Sequence, residues 1–106
     1  MKLEILYFAG CPTYLEAERM LREALRAEGV QAEVDLVKVD TDEEAERLRF
    51  PGSPTIRADE CDLFPVPDRS VWAFGCRTYS TPEGLKGAPT TDMLRASLRG
   101  DGVCAR

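Results

Sequence analysis

Two β-prone runs separated by one long amphipathic helical stretch constrain this chain more than any other feature of its sequence. The first run, Leu3-Glu4-Ile5-Leu6-Tyr7-Phe8, is short, apolar on both alternating faces and rich in Ile, Tyr and Phe, which predicts a central strand covered on both sides. From Pro12 to Glu28, Ala17, Met20, Leu21, Ala24 and Leu25 recur at helical spacing, while Glu18, Arg19, Arg22, Glu23 and Arg26 fill the opposite face. Glu18 and Arg22 stand at a favourable four-residue spacing, and Gly29 follows where a left-handed stop is expected. Ala32 to Asp40 supplies the second strand, with Val34 and Leu36 on one face and Val37 and Val39 on the other. A strand, a crossover helix and a strand in one sheet join in the parallel, right-handed sense.

The rest of the chain extends this unit. Thr41 and Asp42 cap a short helix reaching Arg49, whose acidic first turn suits the helix dipole and whose inward face carries Ala45 and Leu48. Thr55 to Ala58 reads as a third strand and Val71 to Tyr79 as a fourth, with Trp72 and Phe74 alternating against Gly75 and Arg77. The acidic, proline-containing stretch Asp59 to Ser70 between them reads as an exposed loop. Thr90-Thr91-Asp92 opens a last helix with Leu94 and Leu98 on its buried face. The expected order is β-α-β-α-β-β-α, an α/β fold with a four-stranded mixed sheet flanked by helices. One domain spans residues 1–99, and 100–106 form a flexible polar tail that carries Cys104.

Composition narrows the function classes. At 106 residues, 43% hydrophobic and 31% charged, the chain is a globular one large enough to hold a core unaided. A formal charge of −5 with no Lys/Arg cluster argues against nucleic acid as a partner. No apolar stretch approaches a membrane span and no signal-peptide pattern opens the sequence, so the expectation is a cytoplasmic protein without a membrane partner. In a reducing compartment the four cysteines, Cys11, Cys61, Cys76 and Cys104, are expected to be separate thiols, the alternative being a link between Cys61 and Cys76, which flank the connection from the third strand to the fourth.

Cys11 is the candidate nucleophile. It lies between Gly10 and Pro12 at a strand-to-helix turn, the edge where open α/β sheets place their ligands. Placed at the N-cap of the first helix it would face the orphan N–H groups of Thr13 and Tyr14 and the positive end of the macrodipole, and both favour the thiolate. Pro12 suits the first helical turn, and the Thr13 hydroxyl adds a donor. The opposing reading is a small buried hydrophobe. The chain has no histidine, which removes any Cys-His pair, and gaps of 50, 15 and 28 positions between successive cysteines lack the close pairs of a zinc site. No metal site is expected.

Three motifs in order, Cys11-Pro12 after the first strand, Val39-Asp40-Thr41-Asp42 closing the second and Gly52-Ser53-Pro54-Thr55 opening the third, resemble the thioredoxin superfamily over residues 1–99. The resemblance implies a thioredoxin-like fold and a cis Ser53–Pro54 bond beside Cys11. It implies that the Ser53 backbone is left to pair with a bound peptide or thiol, with Thr55 supporting the turn. Pro12, Thr13, Tyr14, Ser53, Pro54 and Thr55 then form the substrate-binding surround of Cys11.

Dithiol members of that superfamily carry Cys-x-x-Cys, whereas this chain has Tyr14 in the second position. Tyrosine cannot resolve a mixed disulfide, so turnover needs an external thiol or another cysteine. Cys76, on the expected fourth strand, is the internal candidate. Two inter-strand spacings, roughly 9–10 Å, would separate it from the first strand in a second-first-third-fourth sheet, beyond ordinary disulfide reach. The leading expectation is a monothiol, glutaredoxin-like thiol-disulfide oxidoreductase with no bound cofactor. Glutathione or another low-molecular-weight thiol would serve as co-substrate, and a disulfide-containing protein or small thiol as partner. The alternative is a redox-inactive binding module that uses the proline lip. Thiolate handling of a soft metal or organomercurial is a third class, for which the sequence places no two cysteines together.

Overall fold

The structure, a computed structural model, describes residues 2–50, 52–64 and 77–99. The elements run β1 (Lys2–Tyr7), α1 (Tyr14–Glu28), β2 (Glu33–Lys38), α2 (Asp42–Leu48), β3 (Thr55–Ala58), β4 (Cys61–Asp62), β5 (Tyr79–Thr81), β6 (Gly84–Lys86) and α3 (Thr91–Arg99). The fold is α/β, with a four-stranded mixed sheet in the order β2-β1-β3-β4 and a separate two-stranded sheet of β5 and β6. β1 pairs parallel with β2, Ile5 opposite Leu36, and antiparallel with β3, Ile5 opposite Ile56.

The alternation along β1 divides the core in two. Leu3 and Ile5 join Ala17, Leu21, Ala24 and Leu25 of α1, Ile56 of β3 and Leu94 of α3 in one buried cluster. Leu6 points the other way, into a smaller cluster with Val39, Ala45 and Phe50 around α2. The central position of β1 thus follows from its two apolar faces. Each fully buried Leu or Ile here contributes about 1.5–3 kcal/mol. Among the described residues no helix is long and apolar enough to cross a membrane.

The helix ends follow local chemistry. Gly29 adopts φ 67°, and the N–H groups of Gly29 and Val30 close on the carbonyls of Arg26 and Leu25 at 3.2 and 2.9 Å, a Schellman stop. Thr41 caps α2 by accepting the Glu44 N–H at 3.1 Å. At the other end of α2 the left-handed residue is Arg49, φ 51°. There the Arg57 guanidinium of β3 donates to the carbonyls of Leu48 and Arg49, at 2.6 and 3.0 Å. A cation at a helix C-terminus also opposes the negative end of the dipole. The expected Glu18–Arg22 pair forms at 2.9 Å.

Two expectations need correction. The fourth strand of the sheet is Cys61–Asp62, inside the stretch expected to be a loop, where it pairs with Arg57 and Ala58. Tyr79, expected to end that fourth strand, begins β5 of the second sheet instead. A two-residue strand is too short to carry an alternation pattern, and its pairing was decided by the neighbouring β3. Trp72, Phe74, Cys76, Cys104 and the tail 100–106 lie outside the described residues.

Candidate functional site around Cys11

The first correction at the site concerns the helix start. The N-cap is Thr13, not Cys11, and α1 begins at Tyr14. Cys11 sits in the preceding turn, its N–H bonded to the Phe8 carbonyl at 3.0 Å, and only 6% of its surface is exposed. Thr13 makes no side-chain cap bond, so its hydroxyl is available elsewhere.

That hydroxyl has two neighbours. It donates to the Gly87 carbonyl at 3.0 Å and lies 3.6 Å from the Cys11 Sγ. A hydroxyl carries one proton and two lone pairs. While it donates to Gly87 it accepts from the Cys11 S–H. When the sulfur ionises, the same proton has to choose between the thiolate and the Gly87 carbonyl. Gly87 comes so close that a Cβ there would stand 2.8 Å from Thr13 Cγ2.

Across from the sulfur, the Ser53–Pro54 bond is cis, as the resemblance implied. Ser53 is 1% exposed, and its Oγ has no hydrogen-bond partner among the described residues. Buried hydroxyls are rarely left so. This one faces a sulfur that is a weak acceptor as a thiol and a strong one as a thiolate. Burial pushes the Cys11 thiol up, but the Ser53 hydroxyl, the Thr13 N–H and hydroxyl and the Tyr14 N–H together outweigh it, holding the thiol below its ordinary value near 9.0. Of the two hydroxyls, Ser53 is the one without a competing acceptor. Its contribution is that of a donor in reserve for the thiolate, since no bond is formed in the thiol state.

The lip is held by Thr55, which the resemblance singled out, and by Arg77 and Tyr79, which sequence reasoning did not. The Arg77 N–H donates to the Ser53 carbonyl at 3.0 Å. The Arg77 side chain, 4% exposed, pairs with Asp62 at 2.8 Å, reaches Thr55 Oγ1 at 3.3 Å and donates to the Phe64 carbonyl. Its guanidinium carbon lies 4.6 Å from the centre of the Tyr79 ring. Thr55 donates to the Gly52 carbonyl and Tyr79 to the Pro54 carbonyl. Burial, the largest influence, pushes the Tyr79 phenol well above its ordinary range, so it remains a donor. The Ser53 carbonyl thus already accepts one hydrogen bond from the chain itself. The available signal was a charged Arg77 inside an otherwise β-prone, aromatic run, with Asp62 as its possible counter-ion.

Pro12 is exposed, and Tyr14 stacks on Tyr7 at 4.1 Å and 13°, so its ring is a wall beside the turn. Phe64 packs against the main core and edge-on to Tyr79. Cys11 is a free thiol, whereas Cys61 is disulfide-bonded, which overturns the expectation of a reduced Cys61. Cys76 as a resolving thiol lies outside the described residues. Among the described residues no group of three or more Cys, Asp or Glu side chains is placed to hold a metal ion.

Beside the Cys11 turn, at the carboxyl ends of β1 and β2, a cleft of about 370 Å³ is lined by Phe8, Ala9, Gly10, Lys38, Val39 and Asp40. A larger one, about 640 Å³, opens around Lys2 and Glu33 at the opposite ends of the same strands and has no connection to the sulfur. No protein-family model matches the chain, and neither a curated protein nor a solved structure gives a match.

Proposed function

We propose that this protein exchanges thiols and disulfides through Cys11 alone, as a monothiol relative of the thioredoxin superfamily it resembles. The observation that carries the reading is the convergence of donors from Thr13, Tyr14 and Ser53 on one sulfur that is held below its ordinary pKa despite burial. The cis Ser53–Pro54 lip and the β2-β1-β3-β4 sheet order support the same reading. Tyr14, stacked on Tyr7, cannot resolve an adduct, so a low-molecular-weight thiol does so. We place the protein in the cytoplasm, where such thiols abound. The Cys61 disulfide would there be a redox-responsive bond rather than a permanent staple.

The test is reduction of bis(2-hydroxyethyl) disulfide by a low-molecular-weight thiol. The protein should accelerate it and Cys11→Ser should return the rate to background. A wild-type rate no higher than that of equimolar N-acetylcysteine would sink the reading. It would then favour the second one, a binding module without redox chemistry, for which the near-complete burial of Cys11 speaks.

A further inference from the structure

The lip beside Cys11 is already occupied by the protein's own chain, and we infer from this that the site takes small disulfides and excludes extended polypeptides. The inference rests on the thiol-exchange reading above and specifies its substrate class.

An extended peptide adds itself to a backbone edge through main-chain hydrogen bonds, and therefore needs free carbonyl and N–H groups there. Each carbonyl flanking the cis bond already accepts a hydrogen bond from the protein, Ser53's from the Arg77 N–H and Pro54's from the Tyr79 hydroxyl, so the Arg77 backbone stands where an added strand would pair with Ser53. The segment that uses them is not loosely laid. Arg77 is anchored by Asp62, Thr55 and Phe64, and Gly52 approaches so closely that a Cβ would lie 2.9 Å from Arg77 Cβ. Displacing it would strip a buried guanidinium of its counter-ion, a cost a transient peptide contact does not offset.

What remains open suits a small molecule. The cleft of about 370 Å³ at Phe8–Gly10 and Lys38–Asp40 adjoins the Cys11 turn and falls within the size range of small-ligand sites. The Ser53 hydroxyl, buried and without a hydrogen-bond partner among the described residues, is a donor left for the Cys11 thiolate. In the reaction the Cys11 thiolate attacks one sulfur of a small disulfide R–S–S–R. The S–S bond breaks, the Cys11–S–S–R bond forms, and R–S⁻ leaves with the electron pair and takes a proton from water. A second small thiolate attacks the adduct at the R-bearing sulfur, restoring the Cys11 thiolate and releasing a small disulfide.

The experiment follows single-turnover adduct formation by intact mass with two probes, bis(2-hydroxyethyl) disulfide and the disulfide dimer of an extended cysteine peptide. Rates are normalised to those of N-acetylcysteine at the same pH. The normalised preference for the small probe should exceed about tenfold, because the peptide gains no main-chain contacts at the lip. In Tyr79→Phe, which frees the Pro54 carbonyl, the preference should shrink. Equal normalised rates in the wild type overturn the inference while leaving thiol exchange intact. Reaction with neither probe overturns the thiol-exchange reading and this inference with it.

Discussion

Replacing Arg77 by Met tests whether one buried guanidinium holds the lip together. The side chain is 4% exposed and its partner Asp62 16%. Removing one member of a buried pair costs about 3–5 kcal/mol, because the survivor keeps an uncompensated charge. Three features lower that figure. Asp62 retains a hydrogen bond from the Phe64 N–H at 2.8 Å and feels the charge of Arg57, and it is partly reached by solvent. The loss of the Phe64 carbonyl's donor raises it. The net expectation is about 2–4 kcal/mol of lost stability, or a fall of roughly 1–2 M in the urea midpoint at unchanged slope. The assay is equilibrium urea unfolding without reductant, so that the Cys61 disulfide stays intact. Asp62→Asn in the Arg77→Met background should recover at least about 1 kcal/mol, since the stranded charge is gone. A single-variant loss below about 0.5 kcal/mol, or a double variant worse than the single, would refute the claim that the ion pair secures this segment.

Two further outcomes are expected. The folded Cys11 thiol titrates below its ordinary value near 9.0. Its ionisation therefore stabilises the folded state fully above that value, and the contribution disappears as pH falls through the depressed folded pKa. The stability difference between wild type and Cys11→Ser should accordingly rise with pH up to about 9 and then level off; a flat or falling difference, measured by urea unfolding across the window, contradicts the site's electrostatics. Gly52→Ala places a Cβ 2.9 Å from Arg77 Cβ at φ 136°, whereas Gly29→Ala meets nothing within 4 Å at φ 67°. The first should cost about 2 kcal/mol more than the second by thermal melting, from the close approach and the less accessible φ together; equal costs would refute both contributions.

What the sequence by itself determined is whatever depends on near neighbours along the chain. β3 begins and ends where its β-prone run does, α1 ends at Gly29, α2 is capped by Thr41, and Cys11 lies in the turn between β1 and α1. Periodicity and caps are written within a few positions of one another, so local chemistry suffices to read them. Tertiary structure decided the rest. The two residues of β4 exist as a strand only because β3 offers them an edge. Thr13 displaces Cys11 as N-cap while its hydroxyl turns to Gly87, 74 positions away. Arg77 is buried only because Asp62, Thr55, Phe64 and Tyr79 converge on it from separate segments. A charge in a β-prone run reads as solvent-facing until its partners are in place. The free energy that settles the matter, desolvation against pairing, belongs to the assembled site and to no stretch of sequence.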